Sequence, residues 1–296
     1  MTTFRVEAPA TVANLGPGFD CLALALDLRC DFEVDPDGSQ GITVEGEGNE
    51  EIPQDASNLV FLAAHRVARE AGRRLPEFGV HCRNDIPLER GLGSSAAAVV
   101  AGVLIGNEVL GTAYGADRLL ELAVDVEGHA DNVAACLRGG LVIAYRADEG
   151  WRAERLDPAP ELRPVVLIPE TARVATDRAR RALPAEVPFG DAAFNVSRAA
   201  LAVVALTSRP DLLGTALEDR LHQPHRLPLA PAAQRLFEDL RRAGVPVCVC
   251  GSGPSLLAFE TEGHEVPDDL RGWRALRPGL ATGGARIVHQ SPDPRG

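Results

Sequence analysis

The chain has 296 residues, of which 45% are hydrophobic and 24% are charged, and its formal net charge is −12 at pH 7. This composition is typical of a globular protein in water, and the length allows one large domain or two medium ones. A surface this acidic excludes binding to nucleic acid, which needs a basic face. All 30 basic residues are arginine. Schiff-base chemistry and a Walker A loop are therefore excluded, because both need a lysine.

The predicted elements mix strands and helices along the chain. Alternating apolar residues between Gly- and Pro-containing turns predict strands in the first half at residues 5–8, 22–28, 30–34, 42–45, 80–84 and 141–145. Helical spacing of apolar residues predicts helices at residues 59–71, from 94 onward, 117–127 and 132–137. In the second half we expect strands at 165–168, 245–250 and 285–289, and helices at 173–182, 192–206 and 232–243.

The stretch between residues 147 and 164 is rich in proline and charge, which indicates a boundary. We therefore predict an α+β protein with two domains, residues 1–155 and 156–296. The N-terminus has no apolar signal region, and the longest apolar run, residues 96–110, is interrupted by Asn107 and Glu108. That run is predicted to be a buried helix, because it is too short and too polar to span a bilayer.

The six cysteines form no C-x-x-C pair and are not clustered with histidine. We expect small, buried, reduced thiols, as in a cytosolic protein. A metal site at Cys248 and Cys250 is disfavoured because no further ligands are nearby in the sequence. The expected location is cytoplasmic, with no membrane association.

The strongest local feature is the run PLERGLGSSAA at residues 87–97. Its glycines permit a tight turn and a close approach of the backbone to a ligand. Ser94 is expected to cap the following helix, whose N-terminus suits a phosphate group. An ordinary strand-to-helix turn would explain a short glycine–serine motif, but the full run is more specific. It resembles the phosphate-binding loop of the GHMP kinases.

Further segments agree with this resemblance in the expected order. APATVANLGPGFD, at residues 8–20, resembles the first GHMP motif in the form that homoserine kinases carry, and CGSGPS, at 250–255, resembles the third motif. EGHADNVA, at 127–134, is similar to the homoserine kinase segment EGHPDNVA, with Ala130 in place of proline. The segments at 176–184, 195–201 and 219–226 also match, although His225 stands where tyrosine is common.

The resemblance covers most of the chain and implies both a fold and an activity. The implied fold is a two-domain GHMP kinase, with an N-terminal domain like domain 2 of ribosomal protein S5 and a ferredoxin-like C-terminal domain. The implied reaction is transfer of the ATP γ-phosphate to L-homoserine, which gives O-phospho-L-homoserine for threonine biosynthesis. A homodimer is the usual state of the family.

The resemblance also assigns roles to particular residues. Ser95 and Glu127 are expected to bind Mg²⁺, which prefers oxygen ligands. The residues expected to contact ATP are Asn58, Pro87, Gly91, Leu92, Gly93, Ser94, Ser95, Ala96, Ala97 and Thr176.

L-Homoserine is a zwitterion with a primary hydroxyl. Arg180 and Arg226 are expected to bind its carboxylate, and Asp20 its ammonium group. The remaining residues expected to contact or orient the substrate are Asn14, His129, Asn132 and Gly253. The expected catalytic residues are Asn14, Glu127 and Asn132.

Asn132 stands where several GHMP relatives have an aspartate base. An amide cannot accept the proton of the hydroxyl, so we expect that proton to pass to a phosphate oxygen.

Each of these residues also has a simpler interpretation. Asp131 could merely cap the helix that follows, Glu127 and His129 could be solvated loop residues, and Arg180 and Arg226 could lie on the surface.

Two other functions stay open. Another GHMP kinase, of the mevalonate-pathway or shikimate type, would act on a substrate without an ammonium group and would have no use for Asp20. A catalytically inactive GHMP-like regulator should have lost Ser95, Glu127 or the glycine loop, all of which are present.

Overall fold

Two β-sheets, one on each side of the predicted boundary, carry the helices of the chain. The structure is a computed structural model, and it describes residues 2–289. The strands are β1 (Phe4–Asn14), β2 (Gly18–Asp35), β3 (Gly41–Gly46), β4 (Gly79–Asn84), β5 (Leu141–Ala147), β6 (Gly150–Leu156), β7 (Arg163–Pro169), β8 (Val247–Val249), β9 (Leu256–Glu260), β10 (Trp273–Leu276) and β11 (Arg286–His289). The helices are α1 (Leu59–Glu70), α2 (Ser94–Leu110), α3 (Ala116–Glu127), α4 (Ala130–Arg138), α5 (Thr176–Arg181), α6 (Phe189–Thr207), α7 (Leu213–Ala216), α8 (Gln223–Arg226) and α9 (Pro231–Arg242).

The first sheet has seven strands and contains both ends of the described chain. Its main order is β11-β1-β2-β4-β3, and β5 and β6 extend it from the beginning of β2. All pairs are antiparallel except β3 and β4. Helices α2 and α4 pack on β1 and β2, and α1 and α3 pack on α2. The apolar residues of α2 are enclosed in this core, which confirms the predicted buried helix.

The second sheet has four antiparallel strands in the order β10-β7-β9-β8. Its core is formed where α9 places Phe237 and Leu240 against Val165, Val247 and Leu256. Helices and antiparallel strands thus make up both halves of the chain. The prediction of an α+β protein is confirmed.

Two sequence predictions differ from the structure, and a third predicted strand is present with an unexpected partner. The strands expected at residues 22–28 and 30–34 form one continuous strand, β2, and a register shift against β1 between Pro9 and Ala10 absorbs the irregularity. The predicted boundary region contains β6, which forms a hairpin with β5. The expected strand near residue 289 pairs with β1, at Phe4 and His289, although it follows the second domain in sequence. The division at residue 155 stays a prediction, and β11 lies on the far side of it.

Within the described part of the chain, α6 is the one helix long and apolar enough to cross a membrane, judged by length and composition alone. A single such helix is weak support for a membrane span, because helices of soluble proteins pass the same test. All six cysteines are free, and all but Cys21 are buried.

Candidate active site

A cavity of about 360 Å³ lies where the two halves of the chain meet. Its walls come from the ends of β1 and α3, the loop before α2, the starts of α4 and α5, and the loop after β8. The residues expected from sequence that line it are Asn14, Asp20, Asn58, Pro87, Gly91, Leu92, Gly93, Ser94, Ser95, Glu127, His129, Asn132, Thr176, Arg180 and Arg226.

Steric restriction explains the glycines of the loop before α2. Gly91 and Gly93 both have left-handed backbones, with φ of 74° and 72°. A Cβ on Gly93 would lie 2.1 Å from Thr11 Oγ1, and one on Gly91 would lie 2.0 Å from the Cys250 carbonyl oxygen. The loop is therefore held between β1 and the loop after β8, and a side chain at either position would displace it.

The predicted cap of α2 is wrong. Gly93, not Ser94, is the N-cap residue, and no side chain caps the helix. The left-handed backbone at this position favours glycine, so Ser94 falls one residue inside the helix. The first amides of α2 have no side-chain partner, and Gly93, Ser94 and Ser95 line the cavity. A helix N-terminus of this kind attracts phosphate.

Ser95 and Glu127 meet at the first turn of α2 and the last residue of α3. Ser95 Oγ donates a hydrogen bond of 2.6 Å to Glu127 Oε2. Burial and the nearby Asp131 carboxylate raise the pKa of Glu127, and the Ser95 hydroxyl opposes this. Two adjacent ligands of one Mg²⁺ lie roughly 3.0 Å apart when each is about 2.1 Å from the ion. The two oxygens are therefore of the right type and nearly the right spacing to bind Mg²⁺ together.

Asp20 and Arg180 form an ion pair across the two domains. The Arg180 guanidinium donates two hydrogen bonds to the carboxylate, of 2.8 Å to Oδ1 and 3.1 Å to Oδ2. Asp20 has a left-handed backbone, with φ of 55°, and its amide donates to Asn14 Oδ1 at 3.0 Å. The ring of Phe19 lies near the guanidinium groups of both Arg180 and Arg226, at 5.7 and 5.2 Å.

Arg226 is buried, with 5% of its surface exposed, so it is not a surface arginine. Its Nη1 donates to the Gly251 carbonyl oxygen at 2.6 Å and lies 3.3 Å from His222 Nδ1. His222 Nε2 must donate to the Gly16 carbonyl at 2.7 Å, which leaves Nδ1 as an acceptor for Arg226. Burial lowers the pKa of His222 to about 4, so this neutral form is the one present at pH 7. Burial and the charge of Arg180 lower the pKa of Arg226 to about 10.

The short helix that carries Arg226 is fixed by one carboxylate. Asp219 accepts hydrogen bonds from the backbone amides of Leu221, His222 and Gln223, at 2.9, 3.0 and 2.7 Å. It also accepts one of 2.8 Å from the Asn195 side chain on α6. Two segments that match the homoserine kinases thus act together to position Arg226.

Three further polar side chains line the cavity together with the loop before α2. Asn14 Nδ2 donates to the Gly251 carbonyl oxygen at 2.9 Å, so Asn14 also joins the two domains. Asn132 Oδ1 accepts a hydrogen bond of 2.8 Å from Thr11 Oγ1. Burial and the positive charge of Arg180 lower the pKa of His129, so its imidazole is neutral at pH 7.

Three predicted contact residues do not line the cavity. Ala96 and Ala97 are buried inside α2, and the amide of Ala97 is bonded to the Gly93 carbonyl. Gly253 turns away because its amide donates to the Cys250 carbonyl, and Gly251 and Ser252 line the cavity instead.

Asp131 also lines the cavity, although its side chain was expected at most to cap a helix. Its Oδ1 accepts from the Asn132 amide at 2.7 Å, but α4 begins one residue earlier, with His129 as the N-cap. Burial raises the pKa of Asp131 to about 6. Thr11, Asp219 and His222 were not expected to support the site. Each bonds a residue in a distant segment, and no local pattern in the sequence shows such a bond.

The fold and the cavity define a small-molecule kinase of the GHMP type. Residues 58–140 match the family model for the GHMP kinase N-terminal domain. The chain is 43% identical to a homoserine kinase of Streptomyces avermitilis over 96% of this chain and 95% of that protein. It is 44% identical to a homoserine kinase of Mycolicibacterium vanbaalenii over 91% of this chain and 88% of that protein.

Solved structures agree with these sequence relatives. The structure of homoserine kinase from Cytophaga hutchinsonii matches with a TM-score of 0.80 and 27% identity, covering 97% of this chain and 98% of that one. Mevalonate diphosphate decarboxylase from Staphylococcus aureus, at 14% identity and a TM-score of 0.66, shares the fold alone. The chain belongs to the homoserine kinase family of the GHMP kinases, and it is an ATP-dependent small-molecule kinase. The predicted family and two-domain GHMP fold are confirmed.

Proposed function

We propose that the chain transfers the γ-phosphate of ATP to the hydroxyl of L-homoserine, and that O-phospho-L-homoserine then serves threonine biosynthesis. One observation carries this proposal: a single cavity joins a phosphate-binding loop to the carboxylate of Asp20 and the guanidinium groups of Arg180 and Arg226. That charge set fits a small alcohol with one ammonium and one carboxylate group. The names of the related proteins support the same substrate.

The ion pair between Asp20 and Arg180 supports selection for a zwitterion. If the substrate ammonium binds Asp20 and its carboxylate binds Arg180 and Arg226, one internal pair is exchanged for two intermolecular ones. Asp20 and Arg180 each keep a partner of opposite charge in this exchange, and Arg226 gains one. A substrate with a carboxylate but no ammonium, such as mevalonate or shikimate, would occupy Arg180 and leave Asp20 without its cation. The exchange would then be unfavourable.

The phosphate-binding loop and the start of α2 are proposed to hold the nucleotide. The residues in this role are Asn58, Pro87, Gly91, Leu92, Gly93, Ser94, Ser95 and Thr176, all of which line the cavity. The chain has no lysine, so backbone amides and arginine must supply the positive potential for the phosphates. Ser95 and Glu127 are proposed to hold Mg²⁺, which neutralises the charge on the phosphates when bound.

Asn132, Asn14 and His129 are proposed to orient the hydroxyl of the substrate. Thr11 Oγ1 donates to the side-chain carbonyl oxygen of Asn132. The NH₂ group of Asn132 can therefore donate to the substrate hydroxyl or to an oxygen of the transferring phosphate. Because an amide cannot take up the proton, the proton is proposed to leave on a phosphate oxygen. Positioning then supplies most of the rate enhancement.

A coupled ADP-release assay with purified protein tests the substrate. L-Homoserine should be used far better than serine, threonine, mevalonate, shikimate or galactose. Two matched analogues separate the charges: 4-hydroxybutanoate lacks the ammonium group, and 3-aminopropan-1-ol lacks the carboxylate. Both should be poor substrates. Equal turnover of mevalonate or shikimate would overturn the substrate assignment, and ATP binding with no turnover of any alcohol would favour a regulator.

A cytoplasmic homodimer is also proposed, with α6 as the interface. Five apolar residues spaced like a coiled-coil seam are outside the core: Phe189, Ala193, Val196, Ala200 and Val204. Phe189 and Val196 are 89% and 71% exposed. The only charged residues of α6, Asp191 and Arg198, are paired within the chain with Arg220 and Glu218. Such a stripe is complementary to itself in an antiparallel pair, which a two-fold dimer would bury.

A further inference from the structure

A second cavity lies on the other side of the phosphate-binding loop, between the two domains, with a volume of about 520 Å³. Its walls are the loop after β3, residues 87–90, and the ends of β7 and β10. Pro87, Leu88 and Arg90 line both this cavity and the candidate active site. Of the residues that line it, only Pro87 has a role in the proposed kinase reaction.

Arg90 is a buried cation that has no ion pair or hydrogen bond with another side chain among residues 2–289. Only 7% of the surface of Arg90 is exposed. Its Nη1 is buried and forms no hydrogen bond within the described chain. Among residues 2–289 no carboxylate forms an ion pair with it. Burial and the charge of Arg173 lower the pKa of Arg90, and the charges of Glu89, Glu47 and Glu51 oppose this. Charged groups inside proteins are normally paired, because an isolated one is strongly disfavoured.

Charged groups of the second cavity act on Arg90, which also lines the candidate active site. The charged groups that act on it are Glu89, beside it in sequence, and Glu47, Glu51 and Arg173 of the cavity wall. Glu47 and Glu51 are each bonded to another arginine instead of to Arg90. Arg173 Nη2 donates to Glu51 Oε1 at 2.9 Å.

The second wall carboxylate is also bound across the gap between the domains. Arg274 Nη1 donates to Glu47 Oε1 at 2.7 Å. The remaining acidic residue of the wall, Glu170, is exposed to solvent. Among residues 2–289, Arg90 is thus left without a carboxylate bonded to it, although the charges of three glutamates act on it.

We propose that this cavity is a second binding site, for a small monocarboxylate whose oxygens pair with Arg90. The volume suits a small molecule. Ile168, Pro169 and Trp273 provide an apolar wall for a short hydrocarbon chain. The three glutamates of the wall balance its three arginines, so a single negative charge is a better match than a dianion such as phosphate.

Propionate is a suitable probe, and Trp273 is a reporter within the site. The chain has two tryptophans, so Trp151→Phe leaves Trp273 as the only one. In that background, propionate titrated at constant ionic strength should change the Trp273 emission and reach saturation, both with and without saturating ADP. Inorganic phosphate should bind at least about tenfold more weakly.

Arg90→Gln tests the assignment of the charge. Propionate affinity should fall by about tenfold or more in this variant. Arg209→Gln, whose guanidinium pairs with Asp211 on the surface, is the matched control and should bind like the parent. Because glutamine removes a buried charge that has no partner, Arg90→Gln should melt at the temperature of the parent or higher.

Three results would overturn the proposal. Strict competition between propionate and ADP would assign Arg90 to the nucleotide phosphates. A much lower melting temperature, or loss of soluble protein, in Arg90→Gln would mean that the guanidinium has a structural partner. An emission change that does not saturate, or is the same in Arg90→Gln, would mean that the cavity is not a site. None of these readouts depends on phosphoryl transfer, so they are independent of the proposed kinase activity.

Discussion

Replacing Glu127 with glutamine should remove most of the phosphoryl-transfer rate while the nucleotide stays bound. The backbone amides at the start of α2 would still hold the phosphates, but the proposed Mg²⁺ site would lose its carboxylate. We expect kcat to fall by about a hundredfold or more, which corresponds to roughly 2.7 kcal/mol of barrier. The affinity for ADP without Mg²⁺ should change by no more than about twofold.

The contact between Ser95 and Glu127, at 2.6 Å, makes a second result predictable. Ser95→Ala removes only a neutral ligand, so kcat should fall by about tenfold. If both side chains hold one ion, the double variant should be little worse than Glu127→Gln, because the two effects are coupled. Independent residues would instead multiply to a loss of about a thousandfold.

The assay follows kcat as a function of Mg²⁺ concentration. Electron paramagnetic resonance of Mn²⁺ bound in the presence of ADP gives a second readout that does not depend on activity. Glu149→Gln, at an exposed turn, is the matched control. Because burial raises the pKa of Glu127, protons compete with the ion, and the Mg²⁺ required for half-maximal rate should rise as pH falls. Glu127→Gln should lack this dependence. Near-parental kcat at limiting Mg²⁺, or fully multiplicative losses in the double variant, would refute the assignment.

Three further variants test the substrate site, a buried acid and the dimer. Arg226→Ala should raise the KM for L-homoserine by ~30- to 1000-fold, about 2–4 kcal/mol, with the KM for ATP nearly unchanged. Asp131→Asn should gain stability relative to the parent between about pH 4 and 6, because the raised pKa of about 6 makes the folded parent lose stability as pH rises. Val196→Glu should convert the dimer to a monomer in light scattering.

Each of these predictions has its own control and its own contrary result. Arg226→Lys should restore only part of the affinity, since lysine lacks the planar fork, and a KM change of less than about twofold in Arg226→Ala would exclude the contact. Asp148→Asn, in a turn, is the control for Asp131 in urea unfolding, and a stability difference that does not vary with pH would contradict the burial argument. Ser197→Glu, on the same helix beside the stripe, is the control for Val196. A parental protein that is already monomeric would overturn the dimer.

Local pattern was sufficient to place the glycine-rich loop at residues 91–93 and the long apolar helix that follows it. Both depend on residues that are close in sequence. The cap of α2 was predicted at Ser94 because serine is a common cap, but the backbone at Gly93 must avoid Thr11, which is 82 positions earlier. Close packing between distant segments decided this point, and no local pattern records it.

The same limit applies to the substrate side of the cavity. Asp20 was predicted to bind the substrate ammonium and Arg180 the carboxylate. Their direct ion pair was not predicted, because it joins residues 160 positions apart. Short elements such as β9, β10 and α8 were missed because their stability comes from their neighbours rather than from their own spacing. The fully buried His222 was missed because a histidine in a polar segment gives no sign of its partners.

The pairing of β11 with β1 has a consequence for the way the protein is made. In the described part of the chain, the outer edge of β1, at residues 4–7, is covered by residues 286–289. During translation that edge therefore emerges nearly the whole length of the chain before its partner does. Unpaired strand edges join readily to other chains. The first domain begins to fold first and is completed last, so a ribosome that stalls within the second domain would hold a nascent chain with an open, aggregation-prone edge.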